Sequence, residues 1–219
     1  MKSIGVALLA AAALLATAAE RPSADKLFMR SKPAKHKPVP TTLKGYGLGM
    51  TLDAFKLKPA PPNVAGPQRI ICSDDPAMQA SLGPSLTPKF NGEVICGIQL
   101  MRRHDWEAGE LMLDAANAAT VAFHFFQGKL VQIESEEAAD LSNAIIQSLT
   151  AQYGDPKQIN NRTSQSISNE VRTQVIVTWL NGEDGIVVTA PTLGTNRMSV
   201  VYTNLAGFAA MQSSGANLM

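Results

Sequence analysis

Two cysteines, three histidines and twelve aromatic side chains (seven Phe, three Tyr, two Trp) are all that 219 residues contain of those types. His36, His104 and His124 stand far apart, and no H-x-x-x-H or paired Cys/His spacing joins them, so a conventional zinc site is not encoded. There is no C-x-x-C, which removes the thioredoxin-type redox motif. No G-x-S-x-G elbow holds a serine nucleophile. No D-x-[DN]-x-[DN]-G loop follows the "CSDDP" run, so calcium is not indicated either. No cofactor is implied. Apolar runs of about 20 residues, the length a membrane-spanning helix needs, are also missing.

What the chain does have begins with its leader, "MKSIGVALLAAAALLATAAE". One basic residue, Lys2, precedes an apolar run from Ile4 to Leu15, and small residues follow. That is a secretory signal peptide, residues 1–18, with Ala16-Thr17-Ala18 as the cleavage motif. No cysteine at the cleavage point offers a lipid anchor. The expected address is exported, either periplasmic or secreted, of a bacterial type. In such a compartment Cys72 and Cys96, each in an apolar strand-like run ("RIICSD", "EVICGIQL"), are expected to form a disulfide.

The net charge of +1 hides an asymmetry. Between Glu20 and Lys44 seven basic residues face two acidic ones, whereas from Gly45 onward eleven basic residues face sixteen acidic ones. Residues 19–44 also carry Pro22, Pro33, Pro38 and Pro40 with few apolar anchors, the composition of an extended linker. Lys32, Lys35 and Lys37 form a cluster suited to an anionic envelope component, with a plain solvated spacer as the competing reading. Nucleic acid is excluded as a partner by the acidic body and the address.

The body, 45–208, reads as one α+β domain with an antiparallel sheet of about seven strands, one long helix and one or two short ones. "DLSNAIIQSLTAQYGDP" sets Leu141, Ile145, Leu149 and Tyr153 on one helical stripe with Ile146 beside it; Asp140 serves as cap and Gly154 as stop. "TVAFHFFQGKLVQIESE" is a hairpin in which Val121, Phe123 and Phe125 share a face with Val131 and Ile133, provided a three-residue loop containing Gly128 joins them. His124 then falls on the other face with Gln132 and Glu134, as an exposed strand residue. "EVRTQVIVTWLNGEDGIVVTAP" is a second hairpin, with Val171, Val175, Val177 and Trp179 on one face. The order helix-then-strands occurs twice, compatible with two pseudo-repeats that break near 138. Residues 209–219 read as a frayed tail.

The stretch "GYGLGMTLDAF" is not a phosphate cradle, because Met50 stands where G-x-G-x-x-G needs its third glycine and no buried strand precedes it. Thr51 is a helix cap, Asp53 suits the positive helix end, and Met50 with Phe55 forms a hydrophobic staple. This glycine-led turn, capped short helix and the later "LTAQYGDP" resemble small bacterial envelope modules such as the small lipoprotein of the β-barrel assembly machine and the β-lactamase inhibitor protein. The likeness covers about two dozen of the 219 residues. Two features depart from it: "KLKPAPP" replaces a glycine-proline exit, and the lipid-bearing cysteine is absent. The resemblance implies helices packed on antiparallel strands and a noncatalytic, protein-binding or scaffolding role.

One cluster has the composition of acid–base chemistry. "RRHDWEAGE" brings together His104, Asp105, Glu107 and Glu110, which as a set would suit a hydrolase. Neighbouring residues on one segment seldom aim at one atom, so the leading expectation is an exported, noncatalytic binding or scaffolding module of the cell envelope. Trp179, on an apolar strand face, is its expected docking surface. The hydrolase is the alternative.

Overall fold

The computed structural model of the chain describes residues 41–61, 66–76, 86–102, 105–108, 111–112, 118–165, 171–192 and 195–215. The leader and the cluster Lys32, Lys35 and Lys37 lie outside the described residues.

The described chain opens with β1 (Thr42–Leu43) and β2 (Tyr46–Gly47), a small hairpin, followed by α1 (Leu52–Lys56). Then come β3 (Gln68–Cys72), β4 (Glu93–Arg102), β5 (Asp105–Ala108), β6 (Leu111–Met112), β7 (Ala118–Phe126) and β8 (Lys129–Ala138). After a single 3-10 turn at Ala139–Leu141 the chain forms α2 (Ser142–Tyr153), β9 (Gln158–Gln165), β10 (Val171–Asn181), β11 (Asp184–Ala190), β12 (Arg197–Asn204) and α3 (Leu205–Ser213). The fold is α+β, and every strand pairing is antiparallel.

The main sheet runs β3-β4-β7-β8-β12-β11-β10-β9, with β5 and β6 pairing beside this path. Its order is a helix and a four-strand meander, given twice. The two meanders meet through their last strands, from Gln132 opposite Thr203 to Ala138 opposite Arg197. Equivalent strands paired antiparallel are what an approximate two-fold axis normal to the sheet produces. The eighth strand of the path, β9, was not foreseen: its sequence, QINNRTSQ, lacks apolar alternation because an edge strand keeps solvent beside it.

Strand register divides the side chains between two faces. Phe123, Phe125, Ile133, Val177, Trp179, Ile186, Val188 and Val200 line the first, all 3 % exposed or less. Phe55 of α1 is wholly buried there, its ring centroid 4.8 Å from Phe123, 5.1 Å from Phe125 and 5.2 Å from Tyr46. Thr51 caps α1 as expected, its Oγ1 accepting from the N–H of Ala54 at 3.2 Å. Lys44 and Gly45, with φ of 50° and 82°, turn β1 into β2, so the first glycine of the stretch serves a tight turn. Leu149 and Tyr153 bury the α2 stripe on β10 and β11. Asp140 does not cap this helix: it sits within the 3-10 turn, and the start of α2 has no side-chain cap.

The β7–β8 hairpin departs from the expected loop. Gln127 and Gly128, with φ of 50° and 73°, make a two-residue turn between Phe126 and Lys129. A bulge then supplies the parity change: His124 pairs with Gln132 and Phe125 with Leu130, leaving Val131 as the extra residue. Leu130 and Ile133 thereby share the core face, while Val131 turns toward α3, where a Cβ on Gly207 would stand 2.6 Å from its Cγ1.

Residues through Ser213 are not a tail. Asn204 caps α3 by accepting from the N–H of Gly207 at 2.9 Å, and Met211 is fully buried. The helix packs on β7, β8 and β12, and its end is tied to Asn91, whose Nδ2 donates to the Ser214 carbonyl at 3.1 Å. The folded body likewise starts before residue 45, since Thr41 and Leu43 are both buried.

Cys72 and Cys96 are direct register partners on β3 and β4 and are bonded, S–S 2.02 Å. They close a loop of 24 residues in sequence separation, which restricts the unfolded chain by about 3 kcal/mol at 25 °C. Reduction is expected to lower the unfolding free energy by about that amount. Urea titrations with and without a thiol reductant check this; coincident curves would show that the bond closes nothing the fold does not already hold.

Candidate functional site

A half-open cleft of about 410 Å³ lies on the first face, over the seam between the two meanders. One wall is β1 and its turn, through Thr42, Leu43 and Lys44, and the other is Leu141 of the 3-10 turn with the side of α2 that carries Ile145 and Ser148. Its floor is Glu137 of β8 and Tyr202 of β12. The location follows from the fold: α1 and α2 each cover their own meander, and neither reaches over the last strands where the two meet.

The floor is polar and ordered. Glu137 is 3 % exposed, and the hydroxyl of Ser135 donates to its Oε1 at 3.2 Å. Burial pushes the Tyr202 phenol far above its usual range, and the nearby Tyr153 and Glu137 push in the same direction. Tyr202 is therefore a permanent O–H donor and acceptor at any physiological pH. Tyr153 is also raised by burial, against the Thr42 N–H, which favours its ionised form; Gln152 Nε2 donates to its oxygen at 3.1 Å. The cleft thus offers an apolar wall, a basic side chain at the rim and an acidic group with a neutral phenol at the base. That combination holds a ligand with an apolar body and a polar end.

A second polar cluster occupies the opposite face, beside α3. Glu93 is 6 % exposed; its Oε2 accepts from the N–H of Lys89 at 2.6 Å and of Phe90 at 3.0 Å, and its Oε1 lies 2.8 Å from His124 Nδ1. Burial alone would raise the Glu93 carboxyl, but the hydrogen bonds from His124 and the two backbone N–H groups outweigh it, and the group sits below its ordinary value. His124 Nε2 points toward Glu134 Oε2, 3.8 Å away.

The sequence-derived candidates fall differently. Trp179 is 1 % exposed, and its Nε1 donates to the carbonyl of Gly154 at 3.0 Å, pinning the end of α2. It is a core residue and presents no docking surface. His124 is buried, not exposed, because α3 and the Glu93 segment cover its face. His104 and Glu110 lie outside the described residues; Asp105 and Glu107 fall within β5, and their side chains lie outside the described ones too. Among the described residues no three His, Cys, Asp or Glu side chains converge on one point, and no helix is long and apolar enough to cross a membrane.

Glu137, Tyr202, Lys44 and Glu93 were not singled out from sequence. One signal was available for Glu93: a lone carboxylate opening the apolar run "EVICGIQL" needs a buried partner or an exposed end. The chain matches no family model, no curated protein and no solved structure.

Proposed function

We propose that this is an exported, noncatalytic binding module of the cell envelope, and that it holds an amphipathic segment of a partner protein in the cleft between β1 and α2. The observation that carries the reading is the cleft itself: about 410 Å³, within the span of ligand sites, walled by two elements that need not have left the seam open. The leader supports export, and the Cys72–Cys96 bond suits an oxidising compartment. The basic segment before Thr41 acts as a tether toward anionic envelope material.

Filling the cleft tests this. Ala144 lines it from α2, and Ala144→Trp places a large side chain in the space the ligand would take. A photo-crosslinking residue at Ile145 is expected to capture one discrete envelope protein, and the same residue at Leu57, 86 % exposed on another surface, is expected to capture none. Capture at position 145 should fall at least about tenfold in the Ala144→Trp background, the scale of losing one central anchor. Equal capture from both positions, or capture unaffected by the tryptophan, would remove the cleft from the function. Repeating the experiment without residues 20–40, which leaves β1 and its wall of the cleft in place, separates tether from body: capture that disappears with the segment would assign binding to it.

A further inference from the structure

The array on the opposite face carries an inference independent of the cleft. Glu93 Oε1, 2.8 Å from His124 Nδ1, holds the ring so that Nε2 is turned outward along the strand surface. That Nε2 is buried and, among the described residues, has no hydrogen-bond partner, on a side chain only 7 % exposed. The nearest charged group is the Glu134 carboxylate, Oε2 at 3.8 Å. The second ring nitrogen thus faces a carboxylate, while the first is held by another. Across the strand, Gln132 Oε1 is already engaged by the Thr203 hydroxyl at 3.2 Å, and α3, from Leu205 to Ser213, contains no charged side chain.

A buried imidazole nitrogen without a hydrogen-bond partner among the described residues, facing a half-buried carboxylate, is a donor set for a cation. The spacing is too long for a hydrogen bond. It is close to the separation of roughly 3.4 Å that two ligands about 2.1 Å from one tetrahedral metal adopt. Imidazole nitrogen with one carboxylate selects a borderline first-row divalent ion, zinc above all, over the all-oxygen preference of calcium or magnesium. Glu93 completes the pattern from behind. A carboxylate on the far ring N–H fixes the tautomer and raises the basicity of the coordinating nitrogen.

We propose that His124 Nε2 and Glu134 bind a divalent transition-metal ion such as Zn²⁺, with Glu93 as the positioning residue behind the ring and water in the remaining coordination positions. Glu134, 38 % exposed, is the side from which the ion enters. With only two protein ligands the site is an exchangeable one, open to a further donor from solvent or from a docked molecule, and distinct from the closed four-ligand sites that hold zinc structurally.

The test uses the full chain and zinc chloride as the only probe. Nitrogen-detected NMR of the imidazoles is expected to show the His124 Nε2 resonance shifting on saturation with one equivalent of zinc, while Nδ1 keeps its proton. Because His36 and His104 can take up zinc elsewhere, the readout is specific to this ring. Glu134→Gln should weaken binding at His124 by about tenfold or more, and Glu93→Gln by about 10–100-fold, the effect of losing an outer carboxylate. Should Glu93→Gln or His124→Gln fail to fold, Glu134→Gln decides alone, since its side chain is 38 % exposed and the substitution keeps its size. An unmoved His124 Nε2 resonance at millimolar zinc, or equal affinity in wild type and Glu134→Gln, would overturn the site. So would an Nε2 resonance that responds to pH but not to zinc, which would make the proton its only cation.

Discussion

Phe55→Ala is expected to lower the unfolding free energy by about 4 kcal/mol, in the range found for truncating a fully buried phenylalanine. The side chain is wholly buried, with three aromatic rings within 5.2 Å of its own. Truncation removes ring–ring contacts and leaves a cavity bounded by Tyr46, Phe123 and Phe125, of which the two phenylalanines are held in the middle of the main sheet and cannot close over it. A helix of five residues, Leu52–Lys56, has no stability of its own, since isolated helices need roughly 12 residues or more. Phe55 is what docks it. Losing that dock also loosens β1 and β2, whose Tyr46 leans on the same ring, and so one wall of the cleft. Urea denaturation followed by the fluorescence of the two tryptophans, Trp106 and Trp179, measures the change. Leu57→Ala, at a position 86 % exposed, should move it by no more than about 0.5 kcal/mol. A loss below about 1 kcal/mol for Phe55→Ala would mean that α1 contributes little to the body and that the aromatic cluster repacks without it.

The second large effect lies on the other face. Glu93→Ala should cost about 4 kcal/mol, because removing one member of a buried, hydrogen-bonded pair strands the other. Three donors lose their acceptor at once: the ring N–H of His124 and the backbone N–H groups of Lys89 and Phe90. His124→Ala leaves the carboxylate with its two backbone donors and should cost less, about 2 kcal/mol. The double variant should then be less destabilised than the sum of the singles by about 2 kcal/mol, since once the ring is gone the carboxylate has only the backbone to lose. Additivity within about 0.5 kcal/mol would show that the two groups do not depend on each other in solution.

What was legible in the sequence was whatever depends on nearest neighbours along the chain. The i+4 steps of Leu141, Ile145, Leu149 and Tyr153 specify α2, and alternation through Val121, Phe123 and Phe125 specifies β7, because burial on one face imposes those periods directly. The pairing of Cys72 with Cys96 was legible for a different reason: with two cysteines only one intrachain bond exists to form. The bulge at Val131 was not, since two turn lengths solve the same parity problem and the choice rests on α3 requiring Val131 on its side. Nor was α3, whose small residues look uncommitted until Gly207 is seen lying against Val131. Trp179 illustrates the opposite failure. An apolar strand face does not say which helix covers it, so an anchor of the core reads from sequence like a docking surface.

The functional candidates were hidden by distance. The cleft takes its lining from segments near positions 43, 137, 148 and 202, and Glu93 reaches His124 across 31 positions. Neither arrangement leaves a local motif, because the strands bring their residues together one at a time. The segment around His104 was legible as a candidate because its residues are neighbours along the chain.

The junction between the meanders bears on how the protein comes to exist at all. The strand that fills the middle of the sheet, Arg197–Asn204, is the last long strand of the chain, and it pairs with residues some 65 positions earlier. Until it arrives, β8 and β11 are raw edges, the second carrying Ile186, Val187 and Val188 in a row, and each can recruit the wrong neighbour. Such non-local closure is slow. A chain cut short before 197 would therefore lose its keystone and not merely an end, and the result should be aggregation rather than a smaller working domain. The half-made protein is the vulnerable one, and the time it spends waiting for its C-terminus is when a chaperone would matter most.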